Sequence, residues 1–211
     1  MPGPFYLISD RNCLAGKDLP AAVEQAVAGG VSMVQLREKD LADDELLRLA
    51  RALRDATVRH EVPLLVNSRV DIALACRADG VHLGVHSPGL KQARKRLGPQ
   101  ALIGFSAHSI DEIRLAETID ADFVTFGPIF FTPSKQSYGP PLGLDALKRA
   151  CAATELPVYA LGGVDADSLA DIRRTGAAGF ACIRAVLDRA EPRQAASNLL
   201  RTWQAALSAD A

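Results

Sequence analysis

Three polar side chains at the end of an apolar run are spaced to bind an anion. Gln35, Arg37 and Lys39 occupy every second position of the segment Val-Gln-Leu-Arg-Glu-Lys. Side chains alternate between the two faces of a strand, so these three share one face. A guanidinium, an ammonium and an amide together suit a phosphate or diphosphate ligand. A charged run at a strand end is also often a solvated rim, so the pattern favours an anion site without fixing one.

Glycine-rich segments near the C-terminal end predict a second anion site. Gly162 and Gly163 follow one apolar run, and Ile183 and Arg184 follow the next. Glycines let backbone N–H groups approach an anion closely, and a following helix N-terminus adds a favourable dipole. The alternative is that the glycines only form tight turns. Two such segments on neighbouring strands favour phosphate binding, with Arg184 pointing either toward that site or away from it.

An amide and three histidines complete the local candidates. Asn67 ends an apolar run, where its amide could pair with a heterocycle or cap the next helix. His86 and His108 fall in predicted loops and could carry protons, since imidazole titrates near neutrality. His82 lies within a predicted strand, which favours a buried structural role.

One loop is much longer than its neighbours. Residues 128–143 are rich in proline, glycine and hydroxyl side chains, whereas connections between strands and helices in a barrel usually span about two to six residues. Lys135, flanked by Thr132 and Ser134, favours a substrate-covering flap over a tolerated surface insertion.

Eight apolar runs alternate with helical periods and must position these residues. The predicted strands are Phe5–Ser9, Met33–Arg37, Leu64–Asn67, Gly80–Leu83, Leu102–Ser106, Phe123–Gly127, Val158–Gly162 and Gly179–Ile183. Continuous apolar runs are typical of parallel strands buried on both faces. Eight alternations in 211 residues predict one domain over residues 1–211, an α/β (β/α)8 TIM barrel whose chemistry sits at the C-terminal strand ends.

Composition excludes several classes of protein. The 24 basic and 25 acidic residues nearly cancel, which argues against nucleic acid or a membrane surface as a partner. No apolar stretch approaches the ~20 residues of a membrane span. The four cysteines lack metal-ligand or redox spacing, so free thiols and a cytoplasmic location are expected.

Many segments match one known family, in the right order, over nearly the whole chain. They are Tyr6-Leu-Ile-Ser-Asp10, Val34-Gln-Leu-Arg-Glu-Lys39, Val66-Asn67 with Arg69-Val-Asp-Ile-Ala-Leu-Ala75, Ala78-Asp-Gly-Val-His-Leu-Gly84, Gly104-Phe-Ser-Ala-His108, Phe126-Gly-Pro-Ile-Phe130 with Thr132-Pro-Ser-Lys135, and Ala160-Leu-Gly-Gly-Val164. In these motifs the chain resembles the thiamine phosphate synthase/TenI family. So many matches are more specific than any single glycine motif.

The resemblance implies ligands and roles. A synthase of this family joins a hydroxymethylpyrimidine diphosphate to a thiazole phosphate and releases pyrophosphate with the help of magnesium. The implied small-molecule ligands are pyrimidine diphosphate, thiazole phosphate and thiamine phosphate, and a homodimer remains an alternative to a monomer. The implied contacts are Gln35, Arg37, Lys39 and Asn67 around the pyrimidine diphosphate, Ser106 and Lys135 on pyrophosphate, and Thr132, Ser134, Gly163 and the backbone near Ile183 on thiazole phosphate.

The chain departs from the family where a synthase binds its metal. At the two positions where such a synthase has magnesium-binding aspartates, this chain has Ser68 and Ser87. Magnesium in proteins is usually held by one or two carboxylates plus substrate phosphates, so no metal site and no cofactor are expected, and magnesium only if the chain is a synthase. The serine usual beside Ile183 is Arg184.

Three functions follow from this mixture of features. The first is a TenI-like, metal-independent member, either a thiazole tautomerase or a protein that binds product without turnover. Such tautomerases carry a histidine where this chain has Pro128, so His86 is the candidate for a replacement base. The catalytic candidates are therefore His86, Lys135 and Ser106. The second is an active synthase in which Asp10, Glu38 or Asp71 supplies alternative metal oxygens, or Arg184 partly replaces the cation. The third is a non-catalytic, regulatory barrel, and the flap argues against an unrelated sugar-phosphate enzyme.

Overall fold

Eight short parallel strands form a closed ring, each within one residue of its predicted bounds. In this computed structural model, which describes residues 3–14, 16–132 and 140–208, the strands pair in sequence order and β8 pairs back to β1. They are β1 (Phe5–Ile8), β2 (Met33–Leu36), β3 (Leu64–Asn67), β4 (Gly80–Leu83), β5 (Leu102–Ala107), β6 (Phe123–Phe126), β7 (Val158–Leu161) and β8 (Gly179–Cys182). The predicted (β/α)8 TIM barrel is confirmed.

Helices follow the strands and cover the outside of the ring. They are α1 (Leu19–Ala28), α2 (Asp43–Val58), α3 (Val70–Cys76), α4 (Ala93–Leu97), α5 (Ile110–Thr118), α6 (Gly143–Ala152), α7 (Leu169–Arg174), α8 (Arg184–Leu187) and α9 (Pro192–Ser208). Helix α2 shows why they form: Leu46, Ala50 and Leu53 recur at helical spacing and are buried against the barrel.

Alternation along the strands separates two apolar layers. The residues that face inward pack as one buried cluster and comprise Tyr6, Ile8, Met33, Leu65, Phe123, Tyr159 and Ala181. Their neighbours in sequence face outward and pack against the helices, as Phe5, Leu7 and Val34 do. Because the inside is filled with side chains, the barrel is a packed core and leaves function to its open end.

All eight strands run in the same direction, so their C-terminal ends meet at one rim, which we call the mouth. The predicted site residues lie at or just beyond these ends. Between β6 and α6 the structure describes residues 127–132 and 140–142, and the predicted flap residues Ser134 and Lys135 lie outside the described part of the chain.

Two further expectations concern thiols and membranes. Cys13, Cys76, Cys151 and Cys182 are free, as predicted. No helix among the described residues is both long and apolar enough to cross a membrane.

Candidate active site

A buried polar network lies just below the mouth and links five strands, β1, β2, β4, β5 and β6. The amide Nε2 of Gln35 donates to the Tyr6 hydroxyl at 2.8 Å, and that oxygen lies 3.1 Å from Nδ1 of His82. Nε2 of His82 lies 3.1 Å from Oγ of Ser106 and 3.3 Å from Oγ1 of Thr125. We refer to these five residues as the polar network. It connects Gln35, expected at the pyrimidine, with Ser106, expected at pyrophosphate.

The polar network is electrically neutral. Burial, with a smaller contribution from the charge of Arg37, lowers the pKa of His82 from 6.5 to about 3. Burial also raises the pKa of Tyr6 far above its usual value. Both side chains therefore stay uncharged near neutral pH and act through hydrogen bonds. The placement of His82 agrees with its predicted buried, hydrogen-bonded role.

The three polar residues that begin on β2 run from the barrel interior out to the mouth. Gln35 is buried inside the barrel, Arg37 is half-buried and Lys39 is exposed. The charge of Arg37 lowers the pKa of Lys39, which places the two cations close together. Because Arg37 also affects His82, its charge reaches the polar network.

Glu38 points to the opposite side and fixes this segment. Its carboxylate accepts from the Ser9 hydroxyl at 2.6 Å and from the backbone and guanidinium of Arg11 at 3.2 Å. The same Ser9 oxygen accepts from the backbone N–H of Arg37 at 2.9 Å. The carboxylate thus anchors the backbone that carries Arg37, a contact that the alternating pattern did not reveal.

Ser68 and Ser87 face each other across the tips of β3 and β4. Their hydroxyl oxygens are 2.9 Å apart, and Oγ of Ser87 accepts from the backbone N–H of Gly84 at 2.8 Å. Ser68 has a φ of 59°, a left-handed conformation that asparagine and aspartate adopt more readily than serine. The two positions are therefore neighbours, and the backbone at one of them suits the aspartate that a synthase of the family carries.

The same geometry tests whether this pair fits a divalent cation, and it does not. Magnesium in proteins is usually held by one or two carboxylates plus substrate phosphates, whereas two neutral hydroxyls that bond to each other supply no negative charge. The proposed replacement carboxylates are already engaged: Asp10 caps the turn at Asn12, Glu38 holds Ser9, and Asp71 is paired with Arg69. Among the residues described, no group of three or more His, Cys, Asp or Glu side chains is placed to hold a metal.

Asn67 is free of the structural role that competed with ligand binding. Helix α3 begins at Val70, its N-cap is Arg69, and no side chain caps it. The capping alternative for Asn67 is therefore wrong. Asn67 pairs in register with His82 on β4, so its half-buried side chain lies beside the polar network.

At the tips of β6 and β7, glycine conformations and backbone hydrogen bonds shape the surface. Gly162 and Gly163 both have positive φ, 98° and 66°, and Phe130 N–H donates to the Gly162 carbonyl at 3.0 Å. Ile183 is the N-cap of α8, which is a single turn, and α7 begins only at Leu169. The helix dipole expected to assist this site is consequently weak, since a one-turn helix aligns few peptide units.

Arg184 is exposed and lies next to the tip of β1. Burial and the hydrogen bond to Asp10 raise the pKa of the Cys13 thiol, and the neighbouring Arg184 opposes this rise. The side chain therefore reaches toward β1. The predicted contact of Arg184 with a thiazole phosphate stays a prediction.

The two loop histidines differ in their surroundings. His86 is exposed after β4, and the structure shows no hydrogen bond to its ring from any described residue. His108 is also exposed, but its Nδ1 is hydrogen-bonded to the carbonyl of Gly127 on the next strand, and its backbone N–H donates to Glu112. Thr132 is half-buried at the end of the described segment after β6.

Tyr6 and Thr125 were missed by the sequence analysis. Each is a polar side chain at an inward-facing position of an otherwise apolar strand, which is the signal that could have found them. Neither position indicates a partner by itself, because the His82 ring that connects them is 76 residues from Tyr6 and 43 residues from Thr125.

Comparison with known proteins identifies the family. The model of the thiamine monophosphate synthase family matches residues 5–186. A putative thiamine-phosphate synthase of Geobacter sulfurreducens is 49% identical over 93% of this chain and 92% of its own length. A thiamine-phosphate synthase of Clostridium novyi is 40% identical over 87% of this chain and 90% of its own length.

A solved structure agrees with the sequence relatives. Thiamine phosphate pyrophosphorylase from Pyrococcus furiosus superposes with a TM-score of 0.87 at 31% identity and covers 97% of this chain and 96% of its own. KGPDC from Streptococcus mutans has a TM-score of 0.69 at only 16% identity and shares the fold alone. Family match, relatives and superposition agree, and the chain belongs to the thiamine monophosphate synthase family of thiamine biosynthesis.

Proposed function

We propose that this protein is a thiamine-phosphate synthase that joins hydroxymethylpyrimidine diphosphate to thiazole phosphate without a carboxylate-bound metal. The observation that carries the proposal is the polar network beside Arg37, which places neutral hydrogen-bonding groups and cations in one half of the mouth. Relatives at 40% identity that are named thiamine-phosphate synthases support the same reaction.

Different residues hold the ring and the diphosphate of the pyrimidine substrate. The amides of Gln35 and Asn67 suit the amine and ring nitrogen of a pyrimidine. Arg37 and Lys39 suit the diphosphate, and the convergence of their charges matches a ligand that carries several negative charges. As pyrophosphate leaves, negative charge grows on its oxygens, so these cations stabilise the transition state more than the ground state.

The hydroxyl pair of Ser68 and Ser87 replaces the metal clamp with hydrogen bonding. One hydroxyl proton is used between the two oxygens and Ser87 already accepts from Gly84, so one O–H remains to donate to a ligand oxygen. A neutral donor stabilises a leaving diphosphate less than a divalent cation does. We therefore expect slow turnover that does not respond to added magnesium.

A TenI-like thiazole tautomerase is the second candidate, and the hydroxyl pair is the observation that favours it. Its weakness is the position of the proposed base. His86 follows β4, whereas the backbone expected to hold thiazole phosphate lies at β7 and β8, with β8 directly opposite β4 in an eight-stranded ring. A base on the far side of the mouth is poorly placed for proton transfer on that ring.

The deciding experiment mixes the protein with pyrimidine diphosphate and thiazole phosphate and measures thiamine phosphate by chromatography, with and without EDTA. Product that forms equally in both samples supports the proposal. Product that disappears on chelation would show a synthase that uses a metal after all, which would reject the metal-independent part.

A parallel assay tests the second candidate. Conversion of the thiazole carboxylate phosphate between tautomers is followed for wild type, His86→Ala and, as a matched exposed histidine, His60→Ala. Conversion that only His86→Ala abolishes, together with no thiamine phosphate, would establish the tautomerase. If neither reaction occurs but thiamine phosphate binds, the non-catalytic alternative replaces both.

A further inference from the structure

We propose that Tyr6 and His82 are positioning residues that leave the Ser106 hydroxyl as an obligatory donor toward an anionic oxygen at the mouth. The inference rests on the proposed function only in naming that oxygen, which belongs to the diphosphate part of the pyrimidine substrate. Neither residue needs to touch the ligand. Their role is to fix where the protons of the polar network lie.

The positions of the protons in the network follow from the hydrogen bond that Gln35 donates. Its Nε2 is a donor only, so the Tyr6 oxygen accepts that bond and keeps its own proton for another partner. Among the residues that the structure describes, the acceptor within reach is Nδ1 of His82, at 3.1 Å. Nδ1 therefore carries no proton, and the neutral ring must carry its proton on Nε2.

The opposite tautomer leaves a buried group unpaired. A proton on Nδ1 of His82 would point at the Tyr6 oxygen, whose own O–H would then have no acceptor among the described residues. Tyr6 is fully buried, so water cannot replace the lost bond. Leaving a buried donor unpaired is costly enough to select the Nε2–H tautomer.

The fixed tautomer decides what Ser106 can do. The Nε2–H of His82 donates to Oγ of Ser106 at 3.1 Å, and Thr125 adds a longer donor contact to the same oxygen at 3.5 Å. Because the ring donates to this oxygen, the hydroxyl proton of Ser106 cannot bond to His82 and is available to another acceptor. An acceptor-only group such as a phosphate oxygen is the matching ligand.

Packing holds the imidazole in this geometry. A Cβ on Gly104 would collide with Nδ1 of His82 and with the ring of Phe123, so the glycine provides the space that both rings fill. The centroids of the His82 and Phe123 rings are 5.7 Å apart, and those of Tyr6 and His82 are 5.6 Å apart. A ring confined in this way cannot turn over without displacing its neighbours.

Nitrogen NMR of ¹⁵N-histidine-labelled protein tests the first step, with the His82 signals assigned by comparison with His82→Gln. The expected spectrum shows a neutral ring protonated on Nε2, and Tyr6→Phe shifts the population toward the Nδ1–H form. A ring that is protonated on Nδ1 in the wild type would overturn the proposal.

Calorimetric binding of inorganic pyrophosphate tests the second step. Removing a hydrogen bond to a charged group weakens binding about tenfold to a hundredfold, so Ser106→Ala is expected to fall in that range and Tyr6→Phe about tenfold. The double variant should be no weaker than Ser106→Ala alone, because Tyr6 acts only through Ser106. Additive losses, or a wild type that does not bind pyrophosphate, would contradict the assignment.

Tyr159→Phe is the matched control. Tyr159 lies in the same inward-facing cluster, but its hydroxyl donates to the carbonyl of Gly3, before β1, at 3.1 Å. Its removal should leave pyrophosphate affinity unchanged even if it lowers stability. Neither measurement requires turnover, so a protein that makes no thiamine phosphate can still show the proton arrangement. Failure of the proposed synthase activity is therefore distinguishable from failure of the positioning role of Tyr6 and His82.

Discussion

The two halves of the mouth are built in different ways. At the tips of β1 to β5, which we call the side-chain half, Gln35, His82 and Ser106 form a connected network beside Arg37. At the tips of β6 to β8, the backbone half, Gly162 and Gly163 shape the surface through their φ angles and close backbone contacts. Among the described residues, the polar network depends on which side chains are present, whereas the turn of Gly162 and Gly163 depends on which conformations the chain can adopt.

This contrast explains where the protein can diverge from its relatives. The resemblance implies aspartates in a synthase where this chain has Ser68 and Ser87, and the difference changes the charge of the side-chain half. The left-handed backbone of Ser68 is one that aspartate also adopts. A comparable change in the backbone half would have to alter the path of the chain. We therefore expect substitutions in the side-chain half to change chemistry at little cost in stability, and substitutions in the backbone half to do the reverse.

The largest expected effect is that of Arg37→Met on the rate of thiamine phosphate formation. Loss of a cation aimed at developing charge typically costs about 10²–10³-fold in rate, and the thermal unfolding temperature should change little. Arg48→Met is the control, since Arg48 lies on the exposed face of α2 away from the mouth. Equal losses in both variants would break the contrast between the two halves.

Gly163→Ala tests the backbone half. An added Cβ would lie 2.6 Å from the carbonyl oxygen of Phe131 and 2.7 Å from Cβ of Phe130, in addition to the strain of a φ of 66°. Strain and overpacking together predict a loss of about 3 kcal/mol in the free energy of unfolding. Urea titration measures it.

Gly89→Ala separates strain from contact in that experiment. Gly89 has a nearly identical φ of 68°, but its nearest neighbour would be a side-chain atom of Gln92 at 3.9 Å. Its loss should be only about 1 kcal/mol, from backbone strain alone. If the two variants unfold at the same urea concentration, the close backbone approach at Gly163 contributes nothing.

Acidification should destabilise the side-chain half through His82. In the folded protein its pKa is about 3, below the 6.5 of the unfolded chain, so between these values the unfolded state binds a proton that the folded state does not. Stability is then lost as the pH falls, by about 2 kcal/mol between pH 7 and pH 5. His82→Gln should lack this part of the pH dependence and His60→Gln should keep it, as urea unfolding at the two pH values will show.

The smallest expected effect is a gained response to magnesium in the double variant Ser68→Asp, Ser87→Asp. The two positions already face each other, and aspartate tolerates the left-handed backbone of Ser68, so folding should be little affected. Two carboxylates would supply the ligands that the cation prefers, and we expect product formation to rise about tenfold with magnesium. The wild type is expected to show no rise, and a variant equally indifferent to the ion would refute the idea that the serines remove the clamp.

Local patterns were sufficient for the barrel and for part of the site. The apolar runs predicted every strand because the apolar composition of each short segment indicates by itself that the segment is buried. Alternation predicted that Gln35, Arg37 and Lys39 converge. Alternation puts Glu38 on the other side without indicating that it binds Ser9 and Arg11, since those residues follow β1, almost 30 positions earlier in the chain.

The sequence alone determined the fold, the strand tips that carry polar residues, and the presence of serine rather than a carboxylate at positions 68 and 87. The tertiary structure decided that Ser68 bonds to Ser87, that Asn67 caps no helix, and that Tyr6 connects Gln35 to His82. The physical reason is the distance along the chain over which each kind of interaction acts. Periodicity and strand length are properties of neighbouring residues, whereas these contacts join segments up to 76 residues apart and exist only once the ring has closed in one register.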